Sequence, residues 1–326
     1  MRTQFPSIVS PVRRVASLAS VVLLIAGSLS SPLAHAQAFS ISDPTVSADG
    51  ATYYWTPFTV AGSGGVKMSD PTIDQQTGQL ADDLVGSATT PGFFLRFGQI
   101  NGVDSVAFRF MENKLYTQGG TTNFSGQVSV GLDTDNDGGL DIVITGIGKN
   151  SNNGINYQAP GTGLNNSPNT TSLGNPVLLA AFDASNFDYR GVDSTIYPNW
   201  TQIGTDPDAV LSFSFSFASL NNALTALGES TITTDTYLRF MAFTSTQTNA
   251  INQDIYGPSG ISDATTFTAS GGFSELTTIT GKPIPEFSSG VLTGVLLGAG
   301  FLFGSWRKYR GALGAFLLKG AATANT

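Results

Sequence analysis

The feature that most constrains the fold is a strict alternation of apolar and polar residues between positions 211 and 217. Leu211, Phe213, Phe215 and Phe217 are separated there by single serines. Successive side chains of a β-strand point to opposite faces of a sheet. The pattern therefore predicts a strand with its apolar row in a core and its serines toward water.

Further short runs of β-branched and aromatic residues lie along the chain, separated by Gly, Asn, Asp and Ser. They cover residues 52–60, 93–100, 103–111, 127–132, 140–147, 177–182, 236–245 and 265–275. This spacing predicts an all-β fold, either an antiparallel β-sandwich or a jelly-roll-like domain. One short helix is expected over 219–227, with Ser219 capping its start and Gly228 its end.

The first 36 residues have the three parts of a secretory signal peptide. Three arginines among the first 14 residues precede an apolar run over 15–27, and Ala34-His35-Ala36 supplies a small-x-small cleavage site. The alternative, a permanent N-terminal anchor, is disfavoured because the apolar run is shorter than the roughly 20 residues of a spanning helix. We therefore expect residues 1–36 to be removed and residues 37–283 to form the exported β domain.

A second apolar segment lies near the other end of the chain. Residues 288–305 carry no charge, and at about 1.5 Å per residue they span about 27 Å, close to the roughly 30 Å hydrocarbon core of a bilayer. Arg307, Lys308 and Arg310 follow at once, and positive charge marks the cytoplasmic side. The pattern predicts one C-terminal transmembrane helix over 288–306 and a cytoplasmic tail over 311–326. A helix buried in a soluble domain, the alternative, would not explain the basic cluster.

The order of Pro285-Glu286, an apolar helix and the basic cluster resembles the PEP-CTERM sorting signal of Gram-negative bacteria. The resemblance covers residues 284–310, and its motif residues are Pro285, Glu286, Arg307, Lys308 and Arg310. It implies that an exosortase, a membrane-embedded cysteine protease, recognises and processes the tail. It also implies that the protein is held in the inner membrane and then reaches the cell surface or an extracellular polysaccharide matrix.

The charge and the missing residue types exclude several classes of function. Between residues 43 and 286 the chain has 23 acidic residues against 8 Lys or Arg, a formal charge of about −15. Such a surface repels nucleic acids and favours divalent cations. The chain has no cysteine, and its one histidine, His35, leaves with the signal peptide. The exported part therefore lacks Ser-His-Asp and Cys-His catalysis, disulfide bonds, and the usual His or Cys sites for zinc, copper or iron.

The most specific chemical motif is the stretch DTDNDGGLD at residues 133–141. Aspartates at alternate positions, a glycine for a tight reversal and a further aspartate can direct their oxygens at one calcium ion. The candidate ligands are Asp133, Asp135, Asp137, Asp141 and the backbone carbonyl of Gly139. Calcium is thus the expected cofactor.

The context of this motif separates it from an EF-hand. The twelfth loop position is Ile144 rather than a bidentate acid, and both flanks are predicted strands. The loop is similar to the calcium loops carried between two strands in integrin-type propeller repeats. Two alternatives stay open, an acidic turn that binds nothing and a catalytic acid pair. Calcium is favoured because it is abundant outside the cell and close carboxylates would repel one another without it.

A polar stretch at 244–257 is the second motif. It contains Gln247, Asn249, Asn252, Gln253 and Asp254. Together with the Asp-rich hairpin it is similar to the body of many PEP-CTERM-tailed proteins over about residues 90–275, a similarity that implies no established activity. These side chains could line a polar ligand groove or satisfy backbone groups in a structured loop.

Three similar runs each carry one arginine on a predicted strand, namely Arg96, Arg109 and Arg239. An arginine on an alternating strand usually belongs to the solvated face, and we expect this here. Binding of acidic sugars is the alternative for these side chains.

Taken together, the sequence predicts a structural or interaction protein of the cell surface or exopolysaccharide matrix, and not an enzyme. A glycan-binding module is the alternative, supported by the aromatic residues Tyr53, Tyr54 and Trp55 and by the amide-rich stretch. A carboxylate-dependent hydrolase is the third possibility.

Overall fold

The computed structural model describes residues 37–76, 78–118, 121–122, 124–149, 152–161, 171–257 and 271–283. The predicted signal peptide 1–36, sorting segment 284–310 and tail 311–326 lie outside these residues. Within the described part of the chain, no helix has both the length and the apolar character needed to cross a membrane.

The described residues form two main antiparallel sheets. The strands are β1 (Thr56–Pro57), β2 (Phe93–Ile100), β3 (Val103–Glu112), β4 (Thr117–Gln118), β5 (Thr121–Thr122), β6 (Gln127–Asp133), β7 (Ile142–Ile147), β8 (Gly154–Gln158), β9 (Thr171–Ser172), β10 (Val177–Ala180), β11 (Phe187–Gly191), β12 (Ala209–Ser216), β13 (Tyr237–Thr244), β14 (Ala250–Ile251), β15 (Asp254–Ile255) and β16 (Thr277–Thr278). The first sheet has the order β1-β2-β3-β12-β11, and the second has the order β10-β8-β7-β6-β13-β15, with β16 also paired to β13. All pairs in both sheets are antiparallel. The predicted all-β antiparallel class is therefore confirmed.

The two sheets pack face to face around one apolar core, as in a β-sandwich. Leu211, Phe213 and Phe215 of β12 belong to this core, as the alternation predicts. Phe108 of β3 contacts rings of both sheets, because its ring centroid lies 6.0 Å from that of Phe213 in its own sheet and 5.9 Å from that of Phe240 on β13 of the second sheet. A shift of one residue in β12 would turn its apolar row out of the core, so the core also fixes strand register.

The outer face of the first sheet is covered as well, which the sequence did not indicate. Apolar residues between Phe39 and Trp55 pack there against Phe94, Met111 and Val210. The serines of β12 at 212 and 214 are consequently buried, and the prediction that they face water is wrong. The alternation of one strand cannot show whether a distant segment covers its polar face.

Arg109 is a fully buried polar anchor between this covering segment and the sheet. The prediction of a solvated arginine is wrong, because Arg109 is 0% exposed. Its guanidinium donates to the carbonyls of Ile41 and Asp43 at 2.8 Å each, to Thr45 Oγ1 at 3.0 Å and to Ser212 Oγ at 2.8 Å. It also lies 4.0 Å from the centroid of the Trp55 ring. Burial lowers the pKa of Arg109 to about 9, so the group remains cationic at neutral pH.

The one α-helix of the described residues, α1 (Phe217–Leu227), follows β12 directly. It begins two residues earlier than predicted, and its N-cap is Ser216, whose Oγ accepts a hydrogen bond from the Ser219 backbone N–H at 3.0 Å. Ser219 therefore lies in the first turn rather than at the cap. Gly228 ends the helix at a φ of 89°, as predicted.

Replacing Arg109 by Lys should destabilise the protein even though the charge is retained. Lys cannot reproduce the planar arrangement of donors that reaches two backbone carbonyls and two hydroxyls. Since a hydrogen bond to a charged group contributes roughly 1.5–3 kcal/mol, we expect a loss of about 2–3 kcal/mol in the free energy of unfolding, measured by urea denaturation. Hydrogen exchange should accelerate over residues 39–45.

The matched control is Arg190→Lys, because Arg190 also reaches the covering segment, through the Ser42 carbonyl, and pairs with Asp188, but its side chain is partly exposed. This variant should change the free energy of unfolding by about 0.5 kcal/mol or less. Equal effects of the two substitutions would contradict the anchoring role of Arg109.

Candidate metal centre

The Asp-rich motif lies at the turn between β6 and β7, at one end of the second sheet. The two strands pair from Gln127↔Ile147 to Leu132↔Ile142, and every residue of both strands is buried. Beyond the last pair, the Asp141 backbone N–H donates to the Leu132 carbonyl at 2.8 Å. The flanking strands thus place both ends of the motif side by side, in the strand-loop-strand arrangement that the sequence predicts.

The loop itself is shaped by bonds from its backbone to its own carboxylates. Asp133 accepts from the N–H groups of Asn136 at 2.7 Å and Gly138 at 3.1 Å. Asn136 and Gly138 have φ values of 66° and 90°, the left-handed region that asparagine and glycine adopt most readily. Asp141 Oδ2 accepts from both the N–H and the hydroxyl of Thr134 at 2.6 Å. The chain therefore winds around Asp133, which is fully buried at the end of β6.

Three of the four predicted carboxylates come together. Asp133, Asp135 and Asp141 each offer one oxygen, and these oxygens lie within 4.8 Å of one another; we call these three residues the hairpin centre. Oxygens within this limit are close enough to ligate one ion, and a set of carboxylate oxygens suits calcium. Asp133 is buried, Asp141 is partly buried and Asp135 is exposed, so water can complete the coordination.

Asp137 and Gly139 lie in the loop but outside the converging group. Asp137 Oδ1 accepts from the Gly139 backbone N–H at 2.7 Å, which ties these two residues to each other. The Asp137 N–H in turn donates to Asp135 Oδ1 at 3.0 Å.

The electrostatics of Asp133 favour a bound cation. Burial raises the pKa of Asp133 above its ordinary value, and the charge of Asp141 raises it further. The backbone N–H groups of Asn136 and Gly138 act in the opposite direction. A divalent cation between the carboxylates would reverse both unfavourable effects, since it stabilises the charged form of each.

The polar stretch 244–257 is folded into the protein rather than lining an open groove. Asn252 Oδ1 accepts from Ser245 Oγ at 2.7 Å and from the Thr246 N–H at 2.9 Å, so it holds the turn after β13. Gln253 and Asp254 are buried, whereas Gln247 and Asn249 are exposed. The buried amide side chains of Asn252 and Gln253 thus bond to groups of the same stretch.

The remaining predicted site residues are those of the sorting signal, Pro285, Glu286, Arg307, Lys308 and Arg310, and they lie outside the described residues. One acidic group was not predicted from the sequence. It consists of Asp70, Asp74 and Asp254, of which only Asp254 belongs to a stretch that the sequence singled out. No local motif signals it, because Asp254 is distant from the other two residues in sequence.

Comparisons with protein-family models, with curated proteins and with solved structures each find no match to this chain. The function is therefore inferred from the residues and their arrangement.

Replacing Asp135 by Asn should reduce the stabilisation of the protein by calcium. Asn keeps the shape of the side chain and an oxygen for the Asp137 N–H, so the main loss is one negative ligand. Binding at 100 times Kd contributes about 2.7 kcal/mol, and 1 kcal/mol shifts the Tm of a domain of this size by about 2–4 °C. The Tm difference between excess calcium and excess chelator should therefore shrink by several degrees in the full chain, measured by calorimetry in detergent.

The control is Asp235→Asn, the same chemical change at an exposed aspartate outside the hairpin. It should leave the calcium-dependent Tm difference unchanged. If Asp135→Asn and the wild type respond equally to calcium, the hairpin is an acidic turn without a metal.

Proposed function

We propose that the protein is an exported, calcium-stabilised β-sandwich that serves as a structural or interaction protein of the cell surface or exopolysaccharide matrix. The single observation that supports the calcium part is the convergence of Asp133, Asp135 and Asp141 within 4.8 Å. Calcium suits this role because it binds oxygen ligands and is abundant outside the cell. Bound at the tip of β6 and β7, it would hold the ends of two central strands of the second sheet in register.

The route of export is proposed from the two ends of the sequence. A signal peptide over 1–36 would direct secretion, and a helix over 288–306 would hold the protein in the inner membrane of a Gram-negative cell. Pro285-Glu286 and the basic residues Arg307, Lys308 and Arg310 would then be recognised by an exosortase-type protease. The protein would finally reach the cell surface or the matrix.

The glycan-binding alternative receives little support from the aromatic stretch. Trp55 is 0% exposed and packs in the covering layer of the first sheet, whereas Tyr54 is 49% exposed. Tyr53 is partly buried beneath Lys67, whose Nζ lies 3.0 Å from the Tyr53 hydroxyl. Stacking on sugars needs accessible ring faces, and of these three residues only Tyr54 is well exposed.

A glycan array with the full chain in calcium distinguishes the two functions. A matrix or interaction protein should show no selective, saturable signal for one glycan class. Saturable binding that Tyr54→Ala abolishes would instead identify a lectin.

The tail proposal predicts the mass of the mature protein. Protein recovered from the cell surface should lack residues 1–36 and the residues beyond about Leu292, because the signal peptidase and the exosortase remove them. Intact-mass spectrometry measures both ends at once. Surface protein that retains Thr326 would contradict processing of the tail.

Replacing Arg307, Lys308 and Arg310 by Ala should disturb membrane retention, because these charges fix the cytoplasmic end of the helix. The fraction of protein released to the medium, measured by immunoblotting, should rise. Unchanged retention would argue against the predicted anchor. Replacement of Lys319 by Ala is the control, since this residue lies outside the basic cluster.

A further inference from the structure

A second group of carboxylates lies where the segment between β1 and β2 meets the edge of the second sheet. Asp70, Asp74 and Asp254 each offer one oxygen, and these oxygens lie within 4.8 Å of one another; we call them the buried aspartate cluster. Asp254 begins β15, the strand that pairs with the end of β13. Asp70 is 4% exposed and Asp254 is 1% exposed, so this cluster is more deeply buried than the hairpin centre.

Two carboxylates of the cluster each have one oxygen that is bonded and one that is not. Asp70 Oδ1 accepts from the Gly257 N–H at 2.6 Å, and Asp254 Oδ2 accepts from the Leu84 N–H at 2.7 Å. Asp70 Oδ2 and Asp254 Oδ1 are buried and receive no hydrogen bond from any described residue. A buried carboxylate oxygen without a donor is costly. Two such oxygens, in carboxylates that approach within 4.8 Å of one another, indicate a shared ligand.

The described basic residues do not neutralise these two carboxylates. No ion pair of the described chain includes Asp70 or Asp254. Burial raises the pKa of Asp70 well above its usual range, and the charge of Asp254 adds to this effect. Burial and the charge of Asp74 act in the same direction on Asp254. A cation at this point would supply the missing positive charge.

A fourth aspartate holds the loop that carries Asp74. Both oxygens of Asp83 accept from the Ile73 N–H, at 3.1 and 2.9 Å, and Asp83 Oδ2 also accepts from Asn113 Nδ2 at 2.6 Å. Ile73 has a φ of 64°, which is rare for a β-branched residue. Asp83 thus restrains the loop next to β15 while its own oxygens are already bonded.

We propose that Asp70, Asp74 and Asp254 bind a second divalent cation, calcium by preference, which joins the segment 70–76 to strand β15. The donors are all carboxylate oxygens, which suit calcium, magnesium or manganese rather than soft metals. Magnesium requires near-octahedral geometry at about 2.0–2.1 Å, whereas calcium accepts about 2.3–2.6 Å and irregular coordination. Carboxylates from two separate segments of the chain, brought within 4.8 Å of one another, suit the irregular coordination of calcium.

This ion would close a junction between parts of the chain that are far apart in sequence. Asp70 pairs with Gly86 through its backbone N–H at 3.0 Å, and the Gln76 N–H donates to the Gln253 carbonyl at 3.0 Å. The site therefore lies between the segment 70–76 and the edge of the second sheet. It shares no residue with the hairpin centre, so each site can fail without the other.

The test is the number of calcium ions bound by the full chain in detergent, measured by isothermal titration with calcium chloride after removal of chelator. Asp254→Asn should remove one ion from the wild-type stoichiometry. If that ion still binds, its Kd should rise by more than the roughly 10–100-fold increase caused by loss of a residue that only supports a metal ligand. Asp135→Asn should remove a different ion, and the double variant should lose both. Asp235→Asn, the exposed control, should bind as the wild type does.

A stoichiometry that Asp254→Asn leaves unchanged would overturn the proposal. A wild type that binds one ion, lost with Asp135→Asn alone, would also overturn it while supporting the hairpin centre. One ion that is lost only with Asp254→Asn would support the buried cluster and contradict the hairpin centre.

Because Asp254 is buried, a second variant and a second measurement guard against a folding defect. Asp74→Asn changes a partly exposed member of the cluster and should cause the same loss of one ion. In chelator, Asp254→Asn should also raise the Tm above that of the wild type, since it removes one of the repelling charges. Addition of calcium should then raise the Tm of this variant by less than it raises the Tm of the wild type. An equal fall of Tm in calcium and in chelator would indicate a purely structural residue and would contradict a metal site.

Discussion

The fold holds carboxylates close together at two places of the second sheet, and the stability of that sheet depends on relief of their mutual repulsion. Two charged carboxylates 4.8 Å apart repel by on the order of 3 kcal/mol at an effective dielectric constant of about 20. The chain places three aspartates within this distance at the tip of β6 and β7, and three more beside β15. With typical domains stable by only about 5–15 kcal/mol, such repulsion must be relieved by protons or by cations. Calcium at both places would convert the least favourable contacts of this sheet into cross-links.

In the first sheet the buried charge is positive instead, because it is the guanidinium of Arg109. Arg109 satisfies carbonyl groups of the segment that crosses the outer face, and Trp55 packs against the guanidinium. A sandwich that is covered on an outer face buries polar positions of its strands, so these positions need partners. Ser212 supplies one of them, because its hydroxyl accepts from Arg109.

The sequence predicted those features that depend on neighbours along the chain. Short β-branched and aromatic runs located β2 and β3, alternation located β12, and the Asp-rich motif located a loop between two strands. The prediction of a strand over 52–60 was mostly wrong, because only Thr56–Pro57 forms a strand and Trp55 belongs to the covering layer. Burial of Arg109 and the meeting of Asp70 with Asp254 could not be predicted, since both depend on contacts between residues that are remote in sequence. A polar residue on a strand has the same local pattern whether water or another segment lies above it.

The most direct test of the calcium-stabilised sandwich is an anomalous difference map from crystals of the protein grown in calcium chloride. We expect a peak at the hairpin centre, with oxygens of Asp133, Asp135 and Asp141 about 2.3–2.6 Å away, and a second peak between Asp70 and Asp254. A map with no peak at either place, in which these carboxylates contact only protein N–H groups and water, would contradict a calcium-stabilised sandwich.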